Sequence, residues 1–323
     1  MRKNSFIFLC GMVLAVYLFA PAQLARAQDS GITSSSDLQL QISTLPEAKL
    51  IFTQSFSFPF LAGPGPLVSG NNIKTSLSAE VSPVSLNGVG EIIWTPIAFI
   101  ELGGGGRLGS GWNMALGNGM GLNVPIGAYD PDTPRKREID GDPLDGLVWS
   151  AWAGGAFQFD LAAVVPGDWN HIIFRAYDEA RYAAYTRAGK HDPWIWEADD
   201  GENMNGWTWY CSLVLGYQMP RSPVLDFFGF MAEGERLLYN TPNGSFWGQD
   251  IGNWTFSGLY NFTITPRFGT TVILQMRTRR NHGTDDLNNK NNLYYQDLEL
   301  SKENGPRRLV FYRAAFMLNY KIR

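Results

Sequence analysis

The sequence predicts an all-β chain, an antiparallel up-and-down β-barrel of about twelve strands that crosses a membrane, with short turns at one end and long loops at the other. Segments of roughly ten residues alternate apolar and polar side chains with period two, as strands with one greasy and one wet face must. Short turns alternate with long polar connections along the second half of the chain, and an export-type leader precedes everything.

The leader comes first. Arg2 and Lys3 precede an apolar run from Phe6 to Ala20, Pro21 breaks it, and Ala25-Arg26-Ala27 offers the small residues a signal peptidase reads. Cleavage is expected after Ala27, leaving 28–47 as an N-terminal segment with a candidate first strand and 48–323 as one barrel domain. A retained anchor is the weaker reading, because about 15 apolar residues fall short of the ~20 a spanning helix needs. Cys10 lacks the small residue expected just before a lipidated cysteine, and once it is removed Cys211 stands alone, so no intramolecular disulfide is expected. Loss of Arg2, Lys3 and Arg26 moves the formal charge from −4 to −7, an acidity that argues against a nucleic-acid partner.

Composition agrees. Charged residues make up 17% and aromatics 14%, yet mean hydropathy is −0.15. Such a balance arises when half of each strand faces lipid and half faces a polar interior.

The strands follow in order. Leu38, Leu40 and Ile42 alternate with Gln39 and Gln41, and Leu50, Phe52, Phe56, Phe58 and Phe60 oppose Thr53, Ser55 and Ser57. Ile73, Thr75, Leu77, Ala79 and Val81 continue the pattern until Pro83, where Leu86, Ile92 and Trp94 take up the opposite phase; a turn or bulge is required there. Thr95-Pro96 reads as a tight turn, and Gly103 to Gly106 as a place where the wall bends or a loop folds inward. After a long connection from Gly109 to Gly146 come Leu147, Trp149, Ala151, Ala153, Phe157, Phe159 and Leu161. A short Pro166-Gly167-Asp168 turn leads to Ile172, Phe174, Ala176, Ala180 and Tyr182, facing away from Arg175, Tyr177, Glu179 and Arg181. A second long connection, Thr186 to Gly206, precedes Trp207, Trp209, Cys211, Leu213, Leu215 and Tyr217, whose aromatic ends and aliphatic centre suit the two interfaces of a bilayer. Phe228, Phe230 and Ala232 form the next face, and Trp254, Phe256, Gly258, Tyr260, Phe262 and Ile264 the plainest one. A turn at Thr265-Pro266 leads to Phe268, Thr270, Val272, Leu274 and Met276. Beyond a loop from Arg280 to Arg308, the last strand places Val310, Tyr312, Ala314, Phe316, Leu318, Tyr320 and Ile322 outward. Roughly eleven strands result; the Leu38 segment makes twelve, merging across Pro83 makes ten, and bacterial barrels favour even numbers. Twelve is the expectation.

The export leader, alternating strands, loop asymmetry and spaced aromatics of the final strand resemble the bacterial outer-membrane β-barrel class, porin-like in form, from about Leu38 onward. More narrowly, Leu77 to Thr95, Phe157-Gln158-Phe159-Asp160 and Asp199-Asp200-Gly201-Glu202-Asn203 resemble outer-membrane barrel proteins of spirochaetes such as treponemes. The resemblance implies outer-membrane lipid as the surroundings, short turns in the periplasm, long loops outside, and a barrel-assembly machine that reads the C-terminal strand. The chain departs from that class in continuing past Tyr320 to Lys321, Ile322 and Arg323.

Candidate chemistry lies on the inward phase. Glu91, Glu101, Asp160, Arg175, Glu179, Arg181, Glu233, Glu235, Arg277 and Arg313 are expected to line the interior, where opposed acidic and basic rows select small polar solutes. Salt bridges filling a closed interior remain the alternative. Trp94, Trp149, Trp207, Trp209, Tyr217, Trp254, Tyr260, Tyr312 and Tyr320 are expected at the lipid interfaces. Trp194, Trp196 and Trp247, inside loops, suggest a sugar- or ligand-binding patch. No nucleophile, base and orienting group share a recognisable spacing around His171, His191 or His282, so no enzyme is expected. Asp140-Gly141-Asp142-Pro143-Leu144-Asp145-Gly146 breaks the spacing of calcium loops, so neither metal nor cofactor is expected. Two function classes stay open: a porin-like channel for small polar solutes, and a non-conducting surface or adhesin-type barrel that presents its loops.

Overall fold

In the computed structural model, residues 31–45, 47–114, 119–125, 137–140, 142–189, 194–197, 203–220, 222, 224–238, 253–280 and 307–322 are described. The leader and its cleavage site lie outside them, as do Asp199 to Glu202, His191, His282 and Trp247.

Period-two alternation becomes a closed wall. Twelve strands form it: β1 (Thr33–Ser43), β2 (Glu47–Pro59), β3 (Asn72–Ser82), β4 (Ser85–Ile97), β5 (Ile100–Gly111), β8 (Val148–Asp160), β9 (Ile172–Tyr185), β11 (Gly206–Gln218), β12 (Leu225–Leu237), β13 (Asn253–Thr263), β14 (Phe268–Arg280) and β15 (Arg307–Lys321). All neighbours pair antiparallel, and β1 closes the barrel on β15 with Leu38 opposite Tyr320, Leu40 opposite Leu318 and Ile42 opposite Phe316. Closure leaves no unpaired edge, the condition for strands to cross lipid. Three short strands stand apart: β6 (Met120–Pro125), β7 (Arg137–Asp140) and β10 (Trp194–Trp196), a small sheet built from two loops.

The phase change at Pro83 is a two-residue turn, with Ser82 and Ser85 hydroxyls 2.7 Å apart across it. At Thr95-Pro96 the structure differs from the sequence expectation. β4 runs on through Pro96 with a register irregularity, and the turn falls at Ala98 and Phe99. Pro96 is accommodated because the irregularity relieves it of a ladder hydrogen bond. Gly103 to Gly106 also stay in a regular strand. The Trp152 ring fills the inner space at Gly105, where an added Cβ would lie 2.5 Å from it.

One more departure alters which side chains face inward. A bulge sets Gln275 opposite Arg313 and Met276 opposite Phe311, so Tyr312 is the extra residue. Below the bulge the phase reverses: Phe311 is exposed outside, and Tyr312 lies between the guanidiniums of Arg277 and Arg313, at 4.3 and 4.7 Å. An extra residue flips every following side chain, so the expected outward places of Val310 and Tyr312 are lost.

Candidate functional site

The inward side chains divide the interior into two halves. On β11 to β15 they are sealed: Val214, Phe227, Met231, Leu259, Ile273, Ala315 and Met317 form one buried apolar cluster. Beside it, Arg313 is 0% exposed; its Nε donates to Gln275 Oε1 at 2.9 Å and its Nη1 to Glu47. Gln275 passes the chain on to Ser257 Oγ at 2.8 Å, and Glu233 accepts the Tyr210 hydroxyl at 2.7 Å. These groups are buried and paired inside the wall, so Arg313 and Glu233 are structural ties of a dry half. Arg277 flanks Tyr312, and Glu235 is half-buried near the long-loop end.

Across the lumen, on β3 to β9, the inward groups are mixed: Lys74, Glu91, Glu101, Tyr177 and Arg181 are half-buried, whereas Glu80, Arg107, Arg175 and Glu179 are buried. Lys74 interacts electrostatically with Asp37, Glu91 and Glu101. Glu101 accepts from Arg175 at 2.8 Å. Glu179 accepts from the Tyr177 hydroxyl at 2.5 Å and from Arg181, whose guanidinium covers the Trp152 ring at 5.5 Å. Both signs of charge thus line one side. Asp160 stands apart from them at the short-loop rim, where it caps the turn through Ala162 N at 3.0 Å and binds His171 Nδ1 at 2.8 Å.

The long-loop mouth is covered above this wetter half. Trp194 and Trp196 are buried with Met120, Val148 and Tyr185 as the core of the small β10–β6–β7 sheet, so they form no exposed patch. Asn205 fastens this core: its Oδ1 accepts the Trp194 indole N–H at 3.1 Å and its Nδ2 donates to Ala188 O at 2.9 Å.

Directly after β10, Glu197 turns into the barrel with φ of 55°. Its carboxylate receives Lys49 Nζ at 2.8 Å, Arg107 Nη2 at 2.9 Å, Ser85 Oγ at 2.8 Å and Asn87 Nδ2 at 3.0 Å. Glu80 binds the same two cations, at 2.9 Å from Arg107 and 3.5 Å from Lys49. Three wall strands, β2, β4 and β5, thereby grip one loop residue. Burial alone pushes the Glu197 carboxyl up, but the Lys49 and Arg107 charges outweigh it and hold its pKa at about 2.

Outside, the wall is apolar. Trp149, Trp207, Tyr260 and Tyr320 are exposed, and Tyr182 packs between Trp149, tilted at 5.4 Å, and Trp207, edge-on at 5.5 Å. Trp94 packs against Phe60, Tyr217 against Phe228 and Trp254 against Phe256. Trp209 differs in function from its neighbours, because its indole N–H donates at 2.9 Å to Asp178, an acid on the outward face between Phe174 and Tyr182.

Glu197, Lys49, Glu80 and Arg107 were not among the residues singled out by sequence. Lys49 and Glu80 have the inward phase, but nothing local marks Glu197, which becomes functional only through a loop fold that spans 148 residues of sequence. Among the described residues no cluster of His, Cys, Asp and Glu is arranged to hold a metal ion.

No family model matches the chain, and no curated protein matches it. Among solved structures it is similar to the KdgM porin in complex with disordered oligogalacturonate, at 9% identity and a TM-score of 0.35 over 90% of this chain and 100% of that one. It is also similar to the beta domain of the Bordetella autotransporter BrkA, at 9% identity and a TM-score of 0.37 over 91% and 99%. The closed, antiparallel twelve-strand barrel stands on its own strand pairing, independently of both. Neither neighbour bears on the narrower likeness to spirochaete proteins.

Proposed function

We propose that this chain is an outer-membrane barrel of the porin-like type, with a narrow, lidded passage for small polar solutes on the β3–β9 side of its lumen. The observation that carries this reading is the division of the interior. One half is a dry core, while Lys74, Glu91, Glu101, Tyr177, Arg181 and Trp152 leave half-buried charge and aromatic surface on the other. A slit with both charge signs along it favours small dipolar or zwitterionic solutes over large or strongly charged ones. The outward aromatic and aliphatic face supports a lipid setting, and the loop asymmetry supports long loops outside the cell.

A second reading has its own observation. The sealed β11–β15 half and the Glu197 attachment also suit a non-conducting platform that displays its loops. Liposome swelling separates the two. Vesicles carrying the protein should swell in glycine or serine faster than in a trisaccharide of the same osmolarity, and no swelling beyond protein-free vesicles leaves only the platform.

A further inference from the structure

We propose that the short-loop rim on the β2–β9 side is a membrane anchor, with the 60–71 and 161–171 loops seated in the inner leaflet instead of in water. This rests on the membrane-barrel reading above. On the far side of this rim exposed polar and apolar residues are mixed: Thr265, Arg267 and Lys321 stand beside Val224, Ile264 and Ile322. On the β2–β9 side the exposed large side chains are mostly apolar, with Ser69 and Asp168 the exposed polar ones of the two loops. Leu61 is 66% exposed, Leu67 55%, Val164 67%, Val165 49% and Trp169 56%.

Leu61 is held in this position against its own preference. Its φ of 56° lies in the left-handed region, which a leucine rarely adopts. Buried Asn71 fixes the segment by donating from Nδ2 to Leu61 O at 3.0 Å. A polar environment gives no reason to keep a leucine there; a hydrocarbon one does.

The 60–71 loop continues the lipid-facing belt, because Phe60 packs edge-on against outward Trp94 at 6.3 Å, and in the turn between β4 and β5 Phe99 does the same against outward Phe157 at 5.9 Å. Outward Tyr217 donates its hydroxyl to Trp169 O at 3.1 Å, so the 161–171 loop leans over the outer side of the barrel. Tyr217 and Trp169 together suit the headgroup boundary, with Val164 and Val165 reaching past it into acyl chains. Asp168 and His171 are the ionisable residues of the two loops, and that boundary tolerates both.

The test places a nitroxide at single cysteines in a Cys211→Ser background: Leu61→Cys, Leu67→Cys, Val164→Cys and Val165→Cys, with Leu213→Cys as the belt reference and Arg267→Cys as the water reference. The labelled full chain is reconstituted in phosphatidylethanolamine–phosphatidylglycerol vesicles, and collisions with oxygen are compared with collisions with a water-soluble nickel chelate. The four rim labels should match Leu213→Cys in favouring oxygen, while Arg267→Cys favours nickel. If the rim labels behave like Arg267→Cys while Leu213→Cys favours oxygen, the anchor is overturned and the barrel reading stands; a soluble partner then becomes the occupant of these loops. If Leu213→Cys itself favours nickel, the membrane-barrel reading falls with it.

Discussion

Glu197 and Lys49 are separated by 148 residues of sequence, and their carboxylate and ammonium meet at 2.8 Å, both buried, where a loop enters the barrel mouth. The contact joins the loop sheet to the β2–β5 wall. Removing one member of a buried ion pair leaves the other uncompensated and costs about 3–5 kcal/mol.

Glu197→Gln should therefore release the loop sheet while leaving the wall intact. Hydrogen exchange or limited proteolysis should show the 112–147 and 186–205 segments opening, with heat-modifiable mobility on gels unchanged. Loss of the barrel itself in this variant would make Glu197 part of the wall's fold and not a loop attachment.

The attachment should resist mild acid. The docked carboxyl has its pKa held at about 2, below the ordinary 4.5, so the stabilisation is fully present above pH 4.5 and declines as pH falls through about 2. Protease resistance of the loops should be flat from pH 7 to about 5 and decline only below it. A transition between pH 6 and 7 would assign the control to another group.

Arg313 was expected on sequence to tune a pore, and its burial changes what its replacement should do. Arg313→Gln removes ties to Gln275 and Glu47 in the dry half, so it should lower unfolding stability by about 3–5 kcal/mol. Charge selectivity should respond instead to Glu91→Gln with Glu101→Gln, which shifts the reversal potential toward anion preference. Denaturant unfolding of detergent-solubilised protein and reversal potentials across a salt gradient check the two halves of this statement.

Gly105→Ala places a Cβ 2.6 Å from Gly90 O and 2.5 Å from the Trp152 ring. Backbone cannot give way as a side chain does, and overpacking of this kind costs about 1–3 kcal/mol. A lowered urea midpoint is expected, whereas Gly88→Ala, which meets nothing within 4 Å, should leave it unchanged.

Strand number, closure and the apolar exterior were legible because a two-residue period is a local property that survives into the wall. The interior was less so, for physical reasons that particular residues show. Leu259, Ile273 and Met317 occupy inward positions in strands whose remaining inward residues are mostly polar, and alternation alone does not say that neighbouring strands bring them together. Tyr312 carried the outward phase in sequence and lost it to a bulge that only the pairing with β14 creates. Asp178 sits on the outward face of a strand whose pattern reads well without it, and its partner Trp209 comes from the adjacent strand. Trp194 and Trp196 were candidates for a ligand-binding patch because their segment reads as a loop, and here they are part of a buried core.

The most direct measurement of the central claim is single-channel conductance in planar bilayers of wild-type protein beside Glu197→Gln. A lidded passage predicts rare, small openings for the wild type and frequent, larger ones for the variant at the same voltage and salt. Silence from both contradicts a passage, and equal open conductance from both contradicts the lid.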